Sequence, residues 1–99
     1  MKHFLVEVNY AVPLEEIDQV LAEHRAFLQT GYDRGLLLMS GPLNPRTGGR
    51  VVARAESLEE IRSFFAQDPY NLKSLATYAF YEFEPVKRQP FMEDWVNGR

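Results

Sequence analysis

Two stretches with a period of 3.6 residues constrain this chain more than anything else in it. Ile17, Leu21, His24 and Leu28 recur at helical spacing, and Ile61, Phe64, Phe65 and Asp68 do so again. Each stretch reads as a helix with one apolar face, and each of those faces carries a single titratable group. A helix with one apolar face has to bury it against another layer. The segments around the two helices read as strands, so the expected answer is a sheet with both helices on one side. The chain has no cysteine, which removes disulfides, thiol nucleophiles and thiolate metal sites together.

Taken in order, His3 to Tyr10 alternates as a strand, with Phe4, Val6 and Val8 on one face and Leu5, Glu7 and Asn9 on the other. Pro13 suits a first helical position, and Glu15, Glu16 and Asp18 place negative charge at the positive end of the helix dipole. That helix is expected to run to about Arg34, with Gly35 as its stop. Leu36 to Ser40 is a short apolar run closed by Gly41 and Pro42, read as a strand buried on both faces. Turn residues follow from Leu43 to Gly49, and Arg50 to Glu56 is the return strand of a hairpin. Ser57 with Glu60 forms a capping box, and the second helix is expected to reach about Gln67. Pro69 disfavours helical geometry at Asp68. Tyr70 to Ala76 is a connector or single turn. Thr77 to Glu84 is the last strand, with Tyr78 and Phe80 on one face and Ala79, Tyr81 and Phe83 on the other.

Strand, helix, strand, strand, helix, strand is the split βαβ, ferredoxin-like motif. Right-handed crossovers predict a four-stranded antiparallel sheet in the order 4-1-3-2 with both helices on one face, an α+β fold. Two helices cover one face only, and the strands are apolar on both. A second copy of the chain is the expected cover, giving a sheet-to-sheet homodimer. Residues 1–88 form the domain and residues 89–99 a tail. Phe91, Met92 and Trp95 within that tail fit one apolar face of a short helix, so it is expected to dock.

Composition excludes several function classes. With 99 residues, 25% charged and a net charge of −3, the chain lacks the basic stripe of a nucleic-acid binder. No apolar run of about 18 residues is present to span a membrane. No signal-peptide pattern opens the chain, and a cytoplasmic protein is the expectation. No metal-ligand spacing joins His3, His24 and the scattered carboxylates, and no cofactor motif is present. His3 is expected to be exposed. Arg46 and Arg50, in and after the turn segment, are candidates to meet an anionic substrate.

Three blocks resemble the YciI-like (YCII-related) family. They are Glu23-His24-Arg25-Ala26-Phe27-Leu28, then Ser40-Gly41-Pro42-Leu43, then Asp68-Pro69-Tyr70, and Glu84-Pro85-Val86 is similar to that family's closing segment. The resemblance spans roughly residues 3 to 88. It implies a ferredoxin-like fold dimerised through its sheets, related to the dimeric α/β barrels, and a site centred on His24 and Asp68. Lys73-Ser74-Leu75 departs from the Ala-Gly-Leu that often follows the third block. A few related proteins act as dehydrochlorinases or as muconolactone isomerase-like enzymes on aromatic intermediates.

Two readings of function follow. The first is a small-molecule enzyme working without a cofactor, with His24 as general base or acid and Asp68 orienting it. Ser40, Gly41, Pro42 and Tyr70 would then contact a small organic metabolite. An ionised aspartate favours a protonated imidazole while burial opposes it. The alternative is a non-catalytic metabolite-binding or accessory dimeric module. In a third, purely structural reading, His24 is a core histidine and Asp68 is turn chemistry before Pro69.

Overall fold

A computed structural model describes residues 1–99 in full. Strand β1 (Lys2–Tyr10) leads into helix α1 (Leu14–Asp33), followed by β2 (Leu37–Pro42) and β3 (Gly48–Ala55). Helix α2 (Leu58–Ala66), the single turn α3 (Pro69–Leu72) and β4 (Ala76–Phe83) complete the domain. A 3-10 turn (Pro90–Met92) and a last turn α4 (Glu93–Val96) follow. The sheet order is β2-β3-β1-β4, the order anticipated from the crossover rule, and every pairing is antiparallel.

Register decides which residues share a face. Val6 pairs with Val51 on one side and Phe80 on the other, and Val8 pairs with Tyr78. These residues therefore project toward the helices with Phe4 and Ala53. Ile17 and Val20 of α1 and Ile61, Phe64 and Phe65 of α2 close the layer above them. Each large apolar side chain so buried contributes about 1.5–3 kcal/mol relative to exposure. Gly31 lies inside α1 because the helix approaches β2 and α2 closely there. A Cβ at that position would stand 2.5 Å from the Phe64 ring and 2.8 Å from a Leu37 methyl.

Several local expectations are corrected. Pro13 is the residue before α1, not its first turn, and α1 ends at Asp33 with Gly35 in a left-handed conformation at φ 73°. The second half of the capping box is shifted: Ser57 Oγ accepts from the Glu60 N–H, but the Glu60 carboxylate takes the Glu56 N–H at 2.9 Å. The strand read as buried on both faces is an edge strand. Leu36 and Leu37 are buried, but a bulge between Leu37 and Met39 turns the strand, and Met39 is 60% exposed. Asp68 does not complete the α2 stripe; it caps α3.

The tail occupies the face of the sheet opposite the helices. His3, expected at the surface, is buried there, with its Nε2 3.1 Å from the Val96 carbonyl oxygen. Arg54, paired with His3 across the sheet, stacks its guanidinium 3.9 Å from the centre of the Trp95 ring. It also donates to the Trp95 carbonyl at 2.8 Å and to the Gly35 carbonyl at 2.9 Å. Docking was anticipated from three large apolar residues, but its anchor is an arginine: Phe91 stays 82% exposed.

Candidate active site

His24 enters from the middle of α1 because the 3.6-residue period that buries Ile17 and Val20 also turns position 24 toward the sheet. Asp68 arrives by a different route. Pro69 forces extended geometry on the residue before it, and Asp68 sits at φ −59° and ψ 129° at the start of α3. Its Oδ1 then accepts the Tyr70 N–H at 3.1 Å, as an N-cap does. The same oxygen lies 2.8 Å from His24 Nδ1, and Oδ2 accepts the Tyr78 hydroxyl at 2.7 Å. Asp68 is wholly buried.

A buried carboxylate ringed by donors is acceptor-only, which requires the proton of the neutral imidazole to reside on Nδ1. Nε2 is left with a lone pair and no partner within the protein. The Tyr70 ring stacks on the imidazole at a centroid distance of 3.9 Å and an interplanar angle of 8°, restricting its rotation. Carboxylate, stacked phenol and helix together hold the ring in one orientation.

Burial first, and the Asp68 charge second, push the Tyr78 phenol far above its ordinary range. Burial, with the charges of Tyr10 and Asp68, pushes Tyr70 up to about 12. Both therefore remain protonated near neutrality, and Tyr78 is a permanent donor to Asp68. The Tyr70 hydroxyl is the one buried side-chain polar atom without a hydrogen-bond partner.

In front of His24 lies a cavity of about 400 Å³ between α1 and the β1, β3 and β2 strands. Ser40, Gly41 and Pro42 form its wall on the β2 side, with Val8, Val51 and Leu21 supplying apolar surface. The Ser40 hydroxyl is 2.7 Å from the Tyr32 hydroxyl. Asp68 and Tyr70 are not on this wall; both stand behind the imidazole. Among the six residues expected at the site, four line the cavity and two support it from the interior. No set of three potential metal-ligating side chains converges anywhere in the chain, and no helix is long and apolar enough to cross a membrane.

The profile of the YCII-related domain matches residues 1–85, which takes in every element that builds this cavity. The chain belongs to the YCII-related family. The solved structure of 5-chloro-2-hydroxyhydroquinone dehydrochlorinase from Burkholderia phenoliruptrix, in complex with 2,5-dihydroxybenzoquinone, matches with a TM-score of 0.71. It is 22% identical, and the match covers 82% of this chain and 92% of that one, so the two share a fold. No curated protein matches the sequence.

Three residues of this YCII-related domain escaped the sequence reading. Tyr78 shares one face of β4 with Phe80, and the register turns that face toward the helices, where a tyrosine needs a partner for its hydroxyl. That was a usable signal for its bond to Asp68. Tyr32 and Ser40 come from different elements, and nothing local announces their meeting. Arg25 follows His24 in the Glu23–Leu28 segment, yet only the packed structure puts it on the cavity wall.

Proposed function

We propose that this YCII-related domain is a cofactor-independent enzyme that moves protons on a small organic molecule, with His24 as its general acid/base. The observation carrying the reading is the 2.8 Å contact of His24 Nδ1 with buried Asp68, which leaves Nε2 unpartnered on a residue lining a cavity. Nε2 takes a proton from a C–H or O–H of the bound molecule. The electron pair left behind either returns to a proton at another carbon, an isomerisation, or forms a double bond as a leaving group departs with its own pair, an elimination. Asp68 does not touch the substrate; it orients the ring and offsets the imidazolium charge, held in turn by Tyr78 and the Tyr70 N–H. Ser40, Gly41 and Pro42 are proposed to contact the substrate; Tyr70 acts through its stack on His24. The neighbour that shares the fold is a dehydrochlorinase of a chlorinated hydroxyhydroquinone, which supports trying hydroxylated or chlorinated aromatics first.

A homodimer belongs to the same proposal. Met39, Tyr81 and Phe83 are 60%, 53% and 43% exposed on the sheet face away from the helices. That apolar surface is what a second copy would cover. Light scattering should then return about twice the 11.5 kDa chain mass, and a monodisperse monomer removes the argument.

The test of the acid–base assignment is His24→Gln, measured by chloride release from 5-chloro-2-hydroxyhydroquinone and by solvent deuterium uptake into a panel of hydroxylated aromatics. Turnover should fall by about 10²–10⁴-fold, while 2,5-dihydroxybenzoquinone still binds. Undiminished turnover in the variant refutes the role of His24. Binding without turnover of any panel member in the wild-type protein instead favours the non-catalytic metabolite-binding module.

A further inference from the structure

The protein carries more acid than base, with 14 Asp and Glu against 11 Lys and Arg. The cavity wall inverts that balance: Arg25, Arg46 and Arg50 line it, and no Asp or Glu does. A surface drawn at random from this composition would carry at least as many carboxylates as guanidinium groups. An all-cationic wall inside an acidic protein concentrates positive potential where a small molecule enters.

The three arginines are not equivalent. Asp18 holds Arg46 from outside the cavity at 2.6 Å. Arg50 pairs with Glu7 in the sheet register and turns its guanidinium to the face away from the helices, 3.6 Å from the Glu7 carboxylate and donating to the Asn9 amide oxygen at 3.4 Å. Arg25 has no ion pair and no hydrogen bond, and it adjoins His24 in sequence. Two of the three charges are thus matched by carboxylates lying behind the wall. One positive charge remains, on a planar fork with five donors and no partner within the protein.

We propose that the cavity binds the carboxylate of a small organic monoanion, with Arg25 as its principal recognition residue and Arg46 as a flanking donor. The charge count selects a monoanion: a phosphate ester would bring close to two negative charges against a surplus of one. Guanidinium groups meet carboxylates through paired N–H···O bonds, which also orient the molecule. Val8, Leu21 and Val51 would receive its apolar body. Arg25 and His24 line the same cavity, so an anion held by Arg25 shares that cavity with the imidazole. This inference rests on the acid–base reading only in taking the cavity as the substrate site.

The test is a binding experiment that needs no turnover. Benzoate, its neutral isostere benzamide, and phenyl phosphate are titrated into the wild-type protein, Arg25→Gln and Arg62→Gln, followed by amide chemical shifts. Benzoate should bind at least tenfold more tightly than benzamide, with shifts centred on residues 21–28 and 40–51. Arg25→Gln removes charge-assisted hydrogen bonds and should weaken benzoate by about tenfold, leaving benzamide unmoved. Arg62, on α2 and away from the cavity, removes the same charge and should change nothing. Equal affinity for benzoate and benzamide, tighter binding of phenyl phosphate, an unaffected Arg25→Gln, or no benzoate binding at millimolar concentration overturns the proposal. Failure here is separable from failure of the acid–base reading. Carboxylate binding through Arg25 alongside undiminished turnover in His24→Gln defeats only the latter. His24-dependent turnover of neutral aromatics with no carboxylate selectivity defeats only the former.

Discussion

Replacing Tyr78 with phenylalanine isolates the bond that holds Asp68 from behind. The hydroxyl reaches Asp68 Oδ2 at 2.7 Å, and Asp68 has no exposure through which water could take its place. The other oxygen keeps both of its partners, His24 Nδ1 and the Tyr70 N–H. The variant therefore strips one lone-pair partner from a buried charge without disturbing the rest. A hydrogen bond to a charged group contributes about 1.5–3 kcal/mol. For a domain of this size each kcal/mol shifts Tm by roughly 4–8 °C. Tyr78→Phe should accordingly lower Tm by roughly 6–24 °C at neutral pH, read by circular dichroism or calorimetry. Asp68→Asn sharpens the argument. Its carbonyl oxygen still accepts from His24 and Tyr70, while its amide nitrogen can donate to the Tyr78 hydroxyl, making a neutral bond of about 1 kcal/mol. In that background Tyr78→Phe should cost about half as much, a coupling of roughly 1 kcal/mol between the two sites. A Tyr78→Phe effect below about 0.5 kcal/mol, or strict additivity with Asp68→Asn, would refute the claim that this bond restrains the carboxylate.

Alkaline pH should destabilise the fold through the same buried phenols. Tyr70 and Tyr78 hold their protons more tightly when folded than a free phenol of pKa about 10 does, so their contribution is complete below about pH 10 and drains as pH rises through about 12 for Tyr70. Tyr70→Phe should flatten the Tm decline over that interval. At neutral pH it should hold or raise Tm, because it deletes a buried hydroxyl with no partner; a large loss would mean that the hydroxyl is satisfied. Gly31→Ala should destabilise by about 1–3 kcal/mol despite the better helix propensity of alanine, since the new methyl meets Phe64 and Leu37. A gain in denaturation midpoint would show that α1 can retreat from β2 without cost. Deleting residues 90–99 removes Trp95 from Arg54 and uncovers His3, so Tm should fall and the His3 amide should lose hydrogen-exchange protection. Unchanged values for both would mean that the tail is not docked.

The one-dimensional pattern determined the elements because each depends on near neighbours. The period of the α1 and α2 stripes, the Ser57 cap and the alternation in β1 and β4 are set by residues within one or two turns. Given that order of elements, the handedness of crossovers selected β2-β3-β1-β4. The same stripes brought His24 and Asp68 forward as groups on inward faces. Tertiary structure decided what those groups meet. Asp68 caps α3 instead of ending α2, and that shift aims its two oxygens at His24 and Tyr78, residues 44 and 10 positions away. Likewise, the edge position of β2 follows from the sheet order, so an apolar run that reads as doubly buried leaves Met39 at the surface. His3 and Arg54 look like surface residues locally, yet a tail more than 40 residues further along covers both. Arg25 is one of 11 basic residues until packing sets it beside Arg46 and Arg50 on a wall without carboxylates. Helix and strand signals are local and survive in a linear reading. A hydrogen bond or a charge balance between distant segments exists only once the chain has closed on itself.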